Sequence, residues 1–185
     1  YAEVFSFHAT KLITAFEGGC ITTNNRNLYE KLTHIRSIYG AVGDLSISFK
    51  TDNGSMSELQ AGLCLKSLFN IKTSIEHNKK IFKLYKKFLR PKNYYTIFEP
   101  SSSNVDSSFQ YFVLILNSDF IEYRAKLKDY LNKYNIFAKL YFNYDFSIFN
   151  DENPIDFPNS LNLSTSSICL PIGERINDKD VEYIA

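Results

Sequence analysis

The chain has 185 residues, 44% of them hydrophobic, enough to bury the core of one large or two small domains, and nothing in its composition suggests disorder. Its 21 Lys and Arg against 20 Asp and Glu leave a formal charge of +1, which removes the electrostatic case for nucleic acid or an anionic membrane as partner. No apolar run approaches the roughly 18 residues of a membrane span, and no basic start precedes an apolar stretch, so a cytoplasmic protein is expected. Cys20, Cys64 and Cys169 lie far apart without a CxxC pair, which argues for reduced, buried thiols and against a disulfide framework or a zinc site.

The chain opens on "YAEVFS", where Val4, Phe5 and Phe7 predict a strand with no turn or cap before it, as in the middle of a protein. A linking segment around Lys11 leads to "GGCITTN", a second strand with paired glycines marking a tight bend. "NRNLYEKLTHIRSIYG" spaces Leu28, Leu32, Ile35 and Ile38 by three and four, predicting an amphipathic helix with Asn24 as N-cap and Gly40 at its end. Residues 40 to 55 read as a polar loop. Ser57 with Gln60 matches a capping box opening a helix through "ELQAGLCLKSLFNI". A separate basic helix is expected from Ser74 to about Leu89, its lysines forming a solvated face, and Pro91 then marks a domain boundary. Beyond it, "YYTIF", "FQYFVLIL" and "IFAKLYF" predict three strands, and "DFIEYRAKLKDYLNKYN" a helix capped by Ser118 or Asp119. Residues 143 to 160 read as a loop, and "ICLPIG" leads to a last helix starting at Asn177 or Asp178. The second half is therefore a small α+β layer, a sheet covered by helices.

Lys11 is the residue with the most chemical scope. A lysine amine can attack an aldehyde and form a Schiff base, as pyridoxal phosphate requires, and the Ser6 hydroxyl five residues earlier stands at a strand end where it can meet a phosphate. Read from spacing alone, Lys11 is an ordinary surface charge and Ser6 a strand-end hydroxyl. His8 admits a metal-ligand, an acid–base or a structural reading, and with only His34 and His77 elsewhere no metal-ligand spacing emerges. Glu17 before Gly18 and Gly19 is either a carboxylate near an active site or part of a turn.

"FSFHATK" followed by "EGG", a strand, an amphipathic helix ending "HIRSIYG" and then "NGSMSELQAGL" closely resembles the DegT/DnrJ/EryC1/StrS family of sugar aminotransferases. The C-terminal "LNLSTSSICLPIGERINDKDVEYI" resembles that family's closing strand and helix. The resemblance implies an α/β protein with the aspartate-aminotransferase fold, fold type I, of pyridoxal-phosphate enzymes. Residues 1–90 would be the C-terminal part of the large cofactor-binding domain and 91–185 the small α+β domain. It implies transfer of an amino group from an amino acid, usually glutamate, to a nucleotide-linked keto sugar, with a dTDP-4-keto-6-deoxyhexose as the expected substrate, in deoxyamino-sugar or surface-polysaccharide synthesis. By matching motifs, Lys11 is the Schiff-base lysine and proton shuttle, Ser6 a phosphate ligand, and Asn53 the asparagine that reaches the phosphate of the neighbouring subunit in a homodimer. No metal, nucleic acid or membrane partner is implied.

The family's aspartate at the pyridine nitrogen and its ring-stacking aromatic lie upstream of the lysine and have no counterpart in these residues, so the chain reads as the C-terminal half of a polypeptide about twice as long, inactive alone. Where relatives often follow the "YF" of the third small-domain strand with Pro and His, this chain has Asn143, Tyr144 and Asp145, to which no pocket role transfers. A non-catalytic relative that binds a sugar nucleotide or a partner chain is the alternative reading.

Overall fold

The computed structural model describes residues 1–36, 54–99, 106–141 and 158–185. Residues 40 to 53 of the expected polar loop, Asn53 among them, and residues 143 to 145 fall outside the described residues. The chain divides into two compact units, Tyr1–Lys72 and Thr73–Ala185.

In the first unit, β1 (Ala2–Ser6) and β2 (Gly19–Thr23) pair antiparallel, with Val4 opposite Ile21 and Ser6 opposite Gly19. The two strands flank Lys11 as the sequence implies. Helix α1 (Arg26–Arg36) follows, and its cap is Asn25, whose Oδ1 accepts the Leu28 amide at 3.1 Å. The cap therefore falls one residue later than expected, after a bend at Asn24 across which Thr23 Oγ1 accepts the Asn25 amide at 3.1 Å. The Ser57–Gln60 capping box forms as read, with the Gln60 amide donating to Ser57 Oγ at 3.3 Å and the Ser57 amide to Gln60 Oε1 at 3.2 Å.

The two helices expected after it are one, α2 (Glu58–Phe88), which runs without a break through Lys72, Thr73 and Ser74. Ser74 looks in sequence like a new cap, but its hydroxyl donates to Glu174 and leaves the helix ladder intact.

The second unit holds a three-stranded antiparallel sheet in the order β3 (Tyr95–Ile97), β4 (Phe112–Leu116), β5 (Ser167–Leu170). Strand β4 sets its two faces. Phe112, Leu114 and Leu116 enter a core with Ile81, Phe82 and Tyr85 of α2, Ile168 and Leu170 of β5, and Val181. Phe112 stacks on Tyr85 with centroids 4.6 Å apart and meets Phe82 edge-on at 5.0 Å. A 3₁₀ turn (Ser118–Tyr123) leads into α3 (Arg124–Lys133), so the predicted helix begins tighter than α-helical and neither Ser118 nor Asp119 caps it. Asn135, with φ of 61°, turns the chain after α3.

The third strand of this sheet is β5, whereas residues 136 to 141 of the expected strand contribute a lone bridge between Lys139 and Cys169. Part of the segment expected as a loop is a helix, α4 (Pro158–Ser166), with proline at its first position, where its missing N–H costs nothing. The last helix, α5 (Asp178–Ile184), starts where the sequence indicates, under a full capping box between Asn177 and Asp180.

Helix α2 is fastened to the segment before α5 by side chains one or more turns apart. His77 Nε2 lies 3.1 Å from the Gly173 carbonyl and 3.0 Å from that of Ile176, and the Tyr85 hydroxyl donates to the Pro171 carbonyl at 2.8 Å. Burial pushes the Tyr85 hydroxyl pKa far upward, with Asp180 adding to the shift.

Candidate active site

Lys11 lies in the loop from Phe7 to Gly18 that joins β1 to β2, exposed to solvent. Backbone bonds close the loop: Phe7 N–H donates to Gly18 O at 2.8 Å and Ala15 N–H to Phe7 O at 2.9 Å. Ala15, with 0% exposure, is the one fully covered side chain of the first unit among the described residues. Phe16 sits in the left-handed region at φ of 67°, a conformation an aromatic side chain adopts at a cost, with its amide 3.2 Å from Thr14 Oγ1.

The two glycines have separate reasons. Gly18, at φ of +121°, makes the turn, and a Cβ there would come 2.6 Å from Met56 Cε. Gly19 lets β2 approach β1, since a Cβ on it would lie 2.5 Å from the Phe5 carbonyl oxygen. The pair thus does more than form the bend expected from sequence.

Helix α2 braces the loop from its N-terminal turns. Ser67 Oγ donates to Thr14 O at 3.1 Å, and Gln60 Nε2 to Glu17 O at 3.4 Å. Cys64 lies between these two residues on the same helical face, and burial, then the nearby Cys20 thiol, raises its pKa.

Two of the three expected site residues are joined through one backbone unit. His8 N–H donates to Ser6 Oγ at 3.4 Å, and Lys11 N–H donates to His8 O at 2.9 Å. Ser6 Oγ accepts from the protein, and no described residue takes its own proton. Among the described residues no carboxylate pairs with the Lys11 amine. The sequence left His8 and Glu17 unassigned; here His8 Nε2 is 3.6 Å from Glu17 Oε1 and its Nδ1 is 3.2 Å from the Thr10 amide.

This donor set suits pyridoxal phosphate. An unpaired amine is available to the aldehyde carbon, and a hydroxyl with a proton still to give is available to the phosphate. No group of three or more His, Cys, Asp or Glu side chains among the described residues converges as a metal site would require.

Solved structures define the class. DesI, solved in the presence of its TDP-sugar product, superposes with a TM-score of 0.88 at 24% identity, covering 99% of this chain and 47% of that one. PseC of Helicobacter pylori, an aminotransferase involved in pseudaminic acid biosynthesis, gives 0.84 at 24% identity, over 99% and 51%. The sugar aminotransferase Spr1654 of Streptococcus pneumoniae, in its PLP form, gives 0.85 at 20% identity, over 99% and 49%. The fold is that of the fold type I pyridoxal-phosphate aminotransferases, as the sequence implies.

The family is shown directly. The model of the DegT/DnrJ/EryC1/StrS aminotransferase family matches residues 1–185, and the chain belongs to that family, whose cofactor is pyridoxal phosphate. A dTDP-4-amino-4,6-dideoxy-D-glucose transaminase of Shigella dysenteriae is 31% identical over 98% of this chain and 50% of its own length. A UDP-4-amino-4,6-dideoxy-N-acetyl-beta-L-altrosamine transaminase of Helicobacter pylori is 25% identical over 100% and 50%. The chain spans about half the length of the curated relatives it matches.

Proposed function

We propose that the protein to which this chain belongs is a pyridoxal-phosphate aminotransferase that moves an amino group between an amino acid, glutamate by preference, and the keto carbon of a dTDP-linked 4-keto-6-deoxyhexose. The observation that carries this reading is Lys11 itself: an exposed amine free of carboxylate partners among the described residues, on a loop tied at both ends, with Ser6 held to it through His8. The dTDP-sugar preference is supported by the Shigella relative's 31% identity against 25% for the UDP-sugar enzyme of Helicobacter.

When bound, the cofactor supplies an electron sink for charge developing on the carbon that loses or gains the amine. This chain's residues do the rest on their side of the site. Lys11 Nζ would hold the cofactor covalently, and the same amine would hold and move a proton at the reacting substrate carbon. Ser6 would donate a hydrogen bond to a phosphate oxygen while its oxygen accepts from the His8 amide. Asn53 is assigned to the phosphate of a neighbouring subunit's site, on the motif match alone, and this makes a homodimer part of the proposal. Residues 1–90 serve as the rear of the cofactor domain and 91–185 as the small domain.

The test is spectroscopic. The whole protein mixed with pyridoxal phosphate should acquire a visible absorbance band that Lys11→Ala lacks, and borohydride should fix the cofactor to the peptide containing Lys11. A whole protein that stays colourless would refute the reading and favour a non-catalytic relative that binds sugar nucleotides.

A further inference from the structure

His8 and Glu17 stand near opposite ends of the Lys11 loop and have no part in the chemistry proposed above. The Thr10 N–H can only donate, so His8 Nδ1, 3.2 Å away, is assigned as its acceptor, with Thr10 Oγ1 at 3.0 Å able to donate to the same nitrogen. The proton of the neutral ring is then on Nε2, the nitrogen that faces Glu17 Oε1 at 3.6 Å. Glu17 is fixed in turn, because Gln60 of α2 donates to its carbonyl and the left-handed Phe16 precedes it. A line of support therefore runs from α2 through Glu17 and the His8 ring to the His8 carbonyl, which receives the Lys11 amide.

We propose that His8 and Glu17 are a positioning couple for Lys11, holding the loop across its width so that the amine is presented in one place. This rests on the reading of Lys11 as the cofactor-bearing lysine. The side chains are 49% and 71% exposed, so the contact contributes little to global stability. Its effect falls on orientation, where small displacements of a reacting group are costly.

A double-mutant cycle on the whole protein tests the couple. His8→Asn keeps an acceptor for the Thr10 amide but removes the donor to Glu17, and Glu17→Ala removes the other partner. In the cofactor-free protein, each variant should speed hydrogen exchange in the peptide covering residues 7–18 by about threefold. The double variant should be no faster than either single one, and the melting temperature should stay put. In the loaded protein, kcat should fall about tenfold with KM for the amino donor within about twofold. Unchanged exchange, effects that multiply in the double variant, or a raised KM at constant kcat would overturn the couple. Failure of the function itself reads differently: the unmutated whole protein would gain no visible band, while the exchange cycle on cofactor-free protein would still decide for or against the contact.

Discussion

The two units differ in how much of themselves they bury. Residues 73–185 enclose an aromatic and aliphatic core around Phe112, Tyr85 and Ile168, each at 0% exposure. In residues 1–72 the described side chains that reach full burial come down to Ala15, while Val4, Ile21, Leu59 and Phe69 are 79%, 47%, 76% and 83% exposed. A two-stranded sheet is marginal by itself, and β1 with β2 is such a sheet. In this half-length chain the candidate site thus lies on the unit whose described residues bury little apolar surface, while the other unit encloses the aromatic core. Precision at Lys11 and stability of the chain are separable properties, and substitutions should affect one without the other.

The sharpest break is Lys11→Ala. Turnover in the whole protein should fall by at least the 10²–10⁴-fold that a positioned acid–base group supplies, with thermal unfolding unchanged. Phe112→Ala should do the reverse, costing about 3–5 kcal/mol in a denaturant titration because it empties the stacked site between Tyr85 and Phe82. Gly19→Ala bears on both properties at once. Its Cβ would press on the Phe5 carbonyl, at a cost of roughly 1–3 kcal/mol, and the shifted hairpin should weaken the visible band.

Tyr85→Phe should cost about 1 kcal/mol, since the Pro171 carbonyl loses its donor. The same variant tests a pH effect. The Tyr85 pKa is raised on folding, so its contribution is complete below the unfolded value of about 10 and is lost as pH rises above it. The alkaline limb of the stability profile should therefore flatten in the variant. Smallest of all, Lys80→Ala removes an ion pair to Asp178 whose partners are 62% and 52% exposed, and should move stability by less than about 1 kcal/mol.

What the sequence disclosed were features that depend on near neighbours. The Ser57–Gln60 and Asn177–Asp180 boxes lie within one helical turn, and the strands on either side of Lys11 follow from short apolar runs next to glycine. Features that depend on distant partners stayed hidden. Thr73 and Ser74 look like a helix boundary until Glu174, a hundred residues on, takes the Ser74 hydroxyl. The loop read over residues 143 to 160 also concealed a local feature, the start of α4 at Pro158, whose hydroxyls at Ser164, Thr165 and Ser166 bond back to carbonyls of Leu161 and Asn162 within the helix itself. At the candidate site, motif order singled out Lys11 and Ser6, and the structure brings both to His8 through its backbone. The contact between His8 and Glu17 was not legible, because it exists only once the loop has closed.

The closed loop also has a bearing on kinetics. Fixing a residue's backbone costs about 1–2 kcal/mol, and the bonds from Phe7 to Gly18 and from Ala15 to Phe7 have already met that cost across the Lys11 segment. On the function proposed above, pyridoxal phosphate would meet a lysine whose backbone is already ordered, so its capture by the whole protein should follow one exponential phase, with no slow backbone-ordering step before it.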